Sequence, residues 1–104
     1  MNNYCIISTA ASSSAEADKI TAALLEQRAA ACVQQIKIES AYHWQGKIEH
    51  SPEILLLIKT KEDLYSEVEK LIKSNHSYQI PEIIRLPIEG GLPAYLNWIG
   101  EETN

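Results

Sequence analysis

Three histidines and two cysteines hold most of the soft-metal and nucleophilic chemistry this chain has to offer: His43, His50, His76, Cys5 and Cys32. His43 and His50 flank Gln45-Gly46, a dipeptide suited to a tight hairpin turn because glycine tolerates positive φ. If the turn centres there, Trp44 pairs with Lys47, His43 with Ile48 and Ala41 with His50. That register sets both imidazoles diagonally on one face, about 7–8 Å apart, where they either converge on one ion or stand as two solvated strand histidines. Glu49 points to the other face, so no carboxylate is expected to complete the set. His76 follows a helical stripe. It is read either as a metal ligand, with Tyr78 and Glu82 beside it in a cleft, or as a helix-terminal histidine favoured by the dipole. Cys32 as a nucleophile would need a base and an oxyanion donor pair, and nothing places a histidine beside it. Gly90-Gly91 has no following Lys-Ser, so no phosphate loop is expected. Thr9-Ala10-Ala11-Ser12 brings no arginine for an acylphosphatase-like hydrolysis. Trp44 and Trp98 lack polar companions, which favours packing at a subunit interface over stacking on a ligand.

The elements that must position these residues follow from periodicity. Tyr4–Thr9 is a short β-prone run. Ser13 with Glu16 fits a capping box, and Ile20, Leu24 and Leu25 form a helical stripe through about Arg28. Cys32 to Tyr42 shifts towards period two, with Ile36 and Ile38 alternating with polar residues. A second strand begins at Lys47 and, past Pro52, becomes Ile54-Leu55-Leu56-Leu57-Ile58. Five consecutive aliphatics predict burial on both faces and a central position in the sheet. Thr60 to Asp63 is expected to open a second helix, with Leu64, Val68, Leu71 and Ile72 as its apolar stripe. Pro81 and Pro87 bracket Glu82-Ile83-Ile84-Arg85-Leu86, read as the last strand with a proline at each end. Pro93 starts a terminal helix with Tyr95, Leu96, Trp98 and Ile99, and the tail Glu101–Asn104 is expected to fray.

The order is thus α+β: a ferredoxin-like β-α-β-β-α-β sandwich over residues 1–104, with an extended hairpin between its second and third strands and a short C-terminal helix. Both main helices cover one face of the sheet. The other face carries aliphatics beside Tyr42 and Trp44 and needs a cover, so self-association is expected. A single domain of 104 residues, 45% hydrophobic and 22% charged, buries about two thirds of its unfolded surface. The net charge of −5, with nine scattered Lys and Arg, argues against nucleic acid or an anionic membrane as partner. No secretory signal or membrane span is read. Cys5 and Cys32 form no Cys-x-x-Cys pair, and buried free thiols point to the cytoplasm.

Several blocks occur together in chain order: Ala30-Ala31-Cys32-Val33, Tyr42-His43-Trp44-Gln45-Gly46-Lys47-Ile48-Glu49, Leu57-Ile58-Lys59-Thr60, Tyr78-Gln79-Ile80-Pro81-Glu82-Ile83-Ile84, Leu86-Pro87-Ile88 and Tyr95-Leu96-Asn97-Trp98. They span nearly the whole chain and resemble the CutA family of divalent-cation tolerance proteins. The resemblance implies a ferredoxin-like homotrimer, non-enzymatic, implicated in the response to copper and other divalent metals. It also implies a copper site made of a cysteine at the end of the first strand and two adjacent histidines. Here those positions read Ser8 and Asn75-His76, with Ser77 in place of the usual proline, so His76 is the one imidazole carried over. Serine and asparagine are poor ligands for a soft or borderline metal. A second class of reading is a small-molecule sensor similar to the PII-like signalling trimers, with His76, Tyr78 and Trp44 lining a cleft between subunits.

Overall fold

The computed structural model describes residues 3–104. Its elements are β1 (Tyr4–Ala11), α1 (Ser14–Glu26), β2 (Cys32–Trp44), β3 (Lys47–Lys61), a 3₁₀ turn (Glu62–Leu64), α2 (Tyr65–Asn75), β4 (Ile84–Ile88) and α3 (Pro93–Glu102). The four strands run in the order β2-β3-β1-β4, every neighbouring pair antiparallel. This is the ferredoxin-like arrangement expected from the element order.

Alternation along the strands divides the sheet into two unlike faces. Cys5, Ile7 and Ala11 of β1 and Ile54, Leu56 and Ile58 of β3 point to one side, where Ala17, Ile20 and Leu24 of α1 and Val68 and Ile72 of α2 close over them into a single buried cluster. The hydroxyls on this side are unequal. Thr60 donates to Ala29 O at 2.6 Å, whereas Thr9 Oγ1 is buried with no partner among the described residues.

The other side is only partly roofed. Residue 100 of α3 lies against Tyr4 and Tyr95 against Lys59, whose Nζ donates to the Tyr95 hydroxyl at 3.2 Å. Beyond α3, Leu55 and Leu57 are half-buried, and Ile36, Ile84 and Leu86 stand 46–49% exposed. The five-residue aliphatic run of β3 is therefore sealed on one face within a single chain, not on both as its sequence predicts.

The hairpin outreaches the sheet. β1 pairs with β3 only as far as Ala11↔Ile54, while β2 and β3 continue together from Ile38↔Glu53 to Trp44↔Lys47. Gln45 and Gly46 both adopt positive φ, 49° and 79°, a type I′ turn whose twist matches the strands it joins. The register is continuous, and Pro52 sits opposite Glu39 without a bulge.

Several boundaries differ from the sequence expectation. Thr60 and Lys61 remain in β3, each paired with β1, so α2 begins only at Tyr65 after the 3₁₀ turn. β4 starts at Ile84 and runs through Pro87, which faces Cys5; an outer strand tolerates a proline because its missing N–H is not needed on the open side. α1 ends at Glu26, and Ala29 and Ala30 leave it to enter the core. Arg28, at φ 52°, sits in the left-handed region, and the bonds Ala29 N–H to Leu24 O and Arg28 N–H to Leu25 O close a Schellman turn. The tail is not frayed: Thr103 is buried and donates to Ile99 O, and Asn104 bonds to both Arg28 O and Gln27 O.

Candidate functional site

The residues with the densest polar connections gather where the end of β1, the start of α1 and the segment after α2 meet. Ser13 caps α1 by accepting from Glu16 N–H at 3.1 Å, completing the capping-box half expected from its spacing. The Glu16 side chain does not stay local. Its Oε1 accepts from the Ser12 N–H (3.0 Å) and hydroxyl (3.2 Å), and its Oε2 accepts from Ser77 N–H at 2.8 Å. Burial works against the charge, but the Ser12 and Ser77 donors and nearby His76 outweigh it and hold the carboxyl below its ordinary range.

His76 is the centre of this cluster, its side chain fully buried. β4 pairing stops at Ile84↔Ser8, two residues short of Ala10, and the imidazole takes up the Ala10 carbonyl at 2.8 Å. A carbonyl only accepts, so Nε2 carries the proton; Nδ1 then accepts from Tyr78 N–H at 3.1 Å, with Glu16 Oε1 3.6 Å away. Both ring nitrogens are engaged in holding the chain together.

Tyr78 stacks obliquely on His76, centroids 4.8 Å apart, and donates its hydroxyl to Glu53 Oε2 at 2.8 Å. Burial first, then Glu53, pushes its phenol up to about 12. Glu82 accepts from the Ser8 hydroxyl at 3.4 Å. The segment 76–82 is thus pinned to the body at four points: Ala10, Glu16, Glu53 and Ser8. Sequence reading placed His76, Tyr78 and Glu82 together but missed Glu16 and Glu53, which are remote in the chain. Glu16's place in the capping box was the one available signal.

The positions that the sequence resemblance assigns to copper ligands do not present a donor set. The Ser8 hydroxyl is turned to Glu82, the Asn75 amide donates to Leu71 O at 2.8 Å, and both nitrogens of His76 are in use. Among the described residues no group of three His, Cys, Asp or Glu is placed to hold a metal ion. Beside His76, an open hollow of about 320 Å³ is lined by Glu16, Lys19, Asn75 and Ser77.

The other candidates separate. Cys5 faces the core opposite Thr60, its thiol pushed up to about 11 by burial, then by Glu62, against the opposing pull of Arg85. A thiol so raised is a poor nucleophile. Cys32 opens β2 opposite Lys59 on the other face, and the two cysteines are unbridged. His43 and His50 lie on the exposed hairpin in the expected register, His43↔Ile48 and Ala41↔His50. Glu39 shares their face, contrary to the expectation that no carboxylate does. Trp44 is 58% exposed near the hairpin tip, and Trp98 stacks on Tyr95 at 5.6 Å. No helix among the described residues is long and apolar enough to cross a membrane.

Comparison with known proteins agrees with this geometry. Residues 5–102 match the sequence model of the family described as CutA1 divalent ion tolerance protein. A divalent-cation tolerance protein CutA from Archaeoglobus fulgidus is 42% identical over 101 residues, covering 97% of each chain. Its structure, named as a periplasmic divalent cation tolerance protein, superposes with a TM-score of 0.92 over 98% of both chains. Protein CutA of Mus musculus is 43% identical over 88 residues, 84% of this chain but 50% of its own, so the present chain spans about half of that relative. The CutA1 structure from Oryza sativa superposes with a TM-score of 0.95 at 34% identity, covering 98% of this chain and 94% of its own. On the family match across residues 5–102 and the shared fold, this chain belongs to the CutA1 divalent ion tolerance protein family.

Proposed function

We propose that this chain works as a non-enzymatic divalent-cation tolerance protein, assembled so that three copies close one another's bare sheet faces. The observation that carries the reading is that face itself. Ile36, Ile84 and Leu86 lie half-open around Leu55 and Leu57, and the hairpin continues the same surface to Tyr42 and Trp44. Contiguous aliphatic surface of this kind is a recognition surface rather than a solvated one. A divalent cation is the ion class that the relatives' names carry, and copper is the ion that the sequence resemblance implies. It is not routed through Ser8, Asn75 and His76 as they stand, since each already has an internal partner. We place the protein in the cytoplasm because both thiols are free.

A ligand-sensing trimer has less support. Within one chain, Trp44 stands six ladder positions from Ile38↔Glu53, where Tyr78 is anchored, which is about 20 Å.

Sedimentation at micromolar concentration tests the assembly. The expected species has three times the 11.7 kDa chain mass, and a monomer would remove the basis of the reading. Growth of a strain lacking the protein under graded copper tests the role: sensitivity is expected, and indifference to every divalent metal would refute it.

A further inference from the structure

We propose that His43 and His50 form a two-imidazole site for a late first-row divalent cation on the helix-side face of the hairpin, separate from the segment that carries His76. The turn fixes the geometry. With a two-residue loop at Gln45-Gly46, Trp44↔Lys47 is the hydrogen-bonded pair that closes it. Bonded and non-bonded pairs alternate from there, so His43↔Ile48 and Ala41↔His50 are both of the non-bonded kind, in which side chains on neighbouring strands come closest.

The right-handed strand twist decides which diagonal narrows. It swings the turn-proximal residue of the first strand towards the turn-distal residue of the second, which brings His43 towards His50. The same twist widens the opposite diagonal, from Glu39 to His50, and Glu39 does not join them in a three-residue cluster.

Both rings are available for coordination. Among the described residues the hydrogen bonds and the ion pair made by histidine all belong to His76, and residues 41–50 are exposed throughout. Tyr42, Trp44 and Glu49 alternate to the other face. Copies covering the bare side of the sheet therefore leave the histidine side reachable. Neutral imidazole suits copper, nickel and zinc, with Cu²⁺ bound most tightly of the three. Water fills the remaining positions, which makes this an exchangeable site at the protein surface rather than a closed store. The inference needs neither the trimer nor the tolerance role.

Calorimetric titration of the intact protein with Cu²⁺, then with Ni²⁺, tests it against four variants. One ion per chain is expected for the wild type and equally for His76→Ala. His43→Ala and His50→Ala should each weaken binding by about tenfold or more, because the second ligand acts at high effective concentration once the first is bound. The double variant, with no imidazole left on the hairpin, should bind no ion there. Wild-type affinity in His43→Ala or His50→Ala, binding retained in the double variant, or loss of binding in His76→Ala would each overturn the site.

Discussion

Neighbouring aliphatics on β3 meet opposite fates. Ile54, Leu56 and Ile58 are sealed beneath α1 and α2, while Leu55 and Leu57, one residue along in each case, stay half-open on the far side. The residue types are the same and so is the strand, so the difference lies in what each face is offered as a cover. One face finds its cover within the chain and carries the stability of the subunit. The other finds, among the described residues, the ten residues of α3 at one end and the contacts of Tyr78 with Glu53 and of Glu82 with Ser8, and no more. Leu56→Ala attacks the first face. It should leave a cavity and cost about 2–5 kcal/mol, read as a lowered urea midpoint with the slope unchanged. A loss below about 1 kcal/mol would mean that the two faces do not differ as their burial says.

Leu86→Lys attacks the second face. The residue is 48% exposed, on an outer strand and away from the helical core. In the subunit alone such a change falls within about 0.5 kcal/mol. In the proposed trimer it places a charge in apolar contact. The expected outcome is a folded monomer, with helix and strand signals retained and mass reduced to that of one chain. A variant that stays assembled would show that the bare face is not the joint.

Much of this architecture was legible in the sequence. The hairpin turn at Gln45-Gly46, the hairpin register, the Ser13 cap and the element order all follow from local chemistry. What failed to show were effects set by distant partners. Thr60 and Lys61 look like a helix start, but β1 extends their pairing to Tyr4↔Lys61. The tail looks free, but Asn104 meets the end of α1 from 77 residues away. At the candidate site, His76, Tyr78 and Glu82 are neighbours in sequence and could be grouped. Their anchors Glu16, Glu53 and Ala10 come from elsewhere, and no local pattern announces them.

Glu16 sits on the covered face yet holds a segment that reaches towards the open one, so its charge tests how far the two are coupled. Its folded carboxyl lies below the ordinary value of 4.5. The ionised form therefore contributes stability that is fully present above that value and is lost as pH falls through the folded value beneath it. Glu16→Gln should be less stable than the wild type at neutral pH, and the gap should close in acid below about 4.5. Urea midpoints across that range measure it. A gap independent of pH would assign the effect to shape rather than charge.

The smallest effect is expected where the two faces are tied together, at Arg28. An L-residue in the left-handed region costs about 1–2 kcal/mol, which glycine avoids. Arg28 offsets part of this cost through its guanidinium, which donates to Glu101 O at 3.2 Å and pairs with Glu102 at 3.6 Å, joining α1 to α3. Both partners are exposed, and such pairs contribute about 0–1 kcal/mol. The backbone bond from Asn104 N–H to Arg28 O survives any substitution. Arg28→Gly should therefore raise stability by up to about 1 kcal/mol. Arg28→Ala, which keeps the strained backbone and gives up the pair, should lower it. If glycine also destabilises, the side-chain tie between α1 and α3 outweighs the backbone strain, and α3 contributes more to holding the open face than its ten residues suggest.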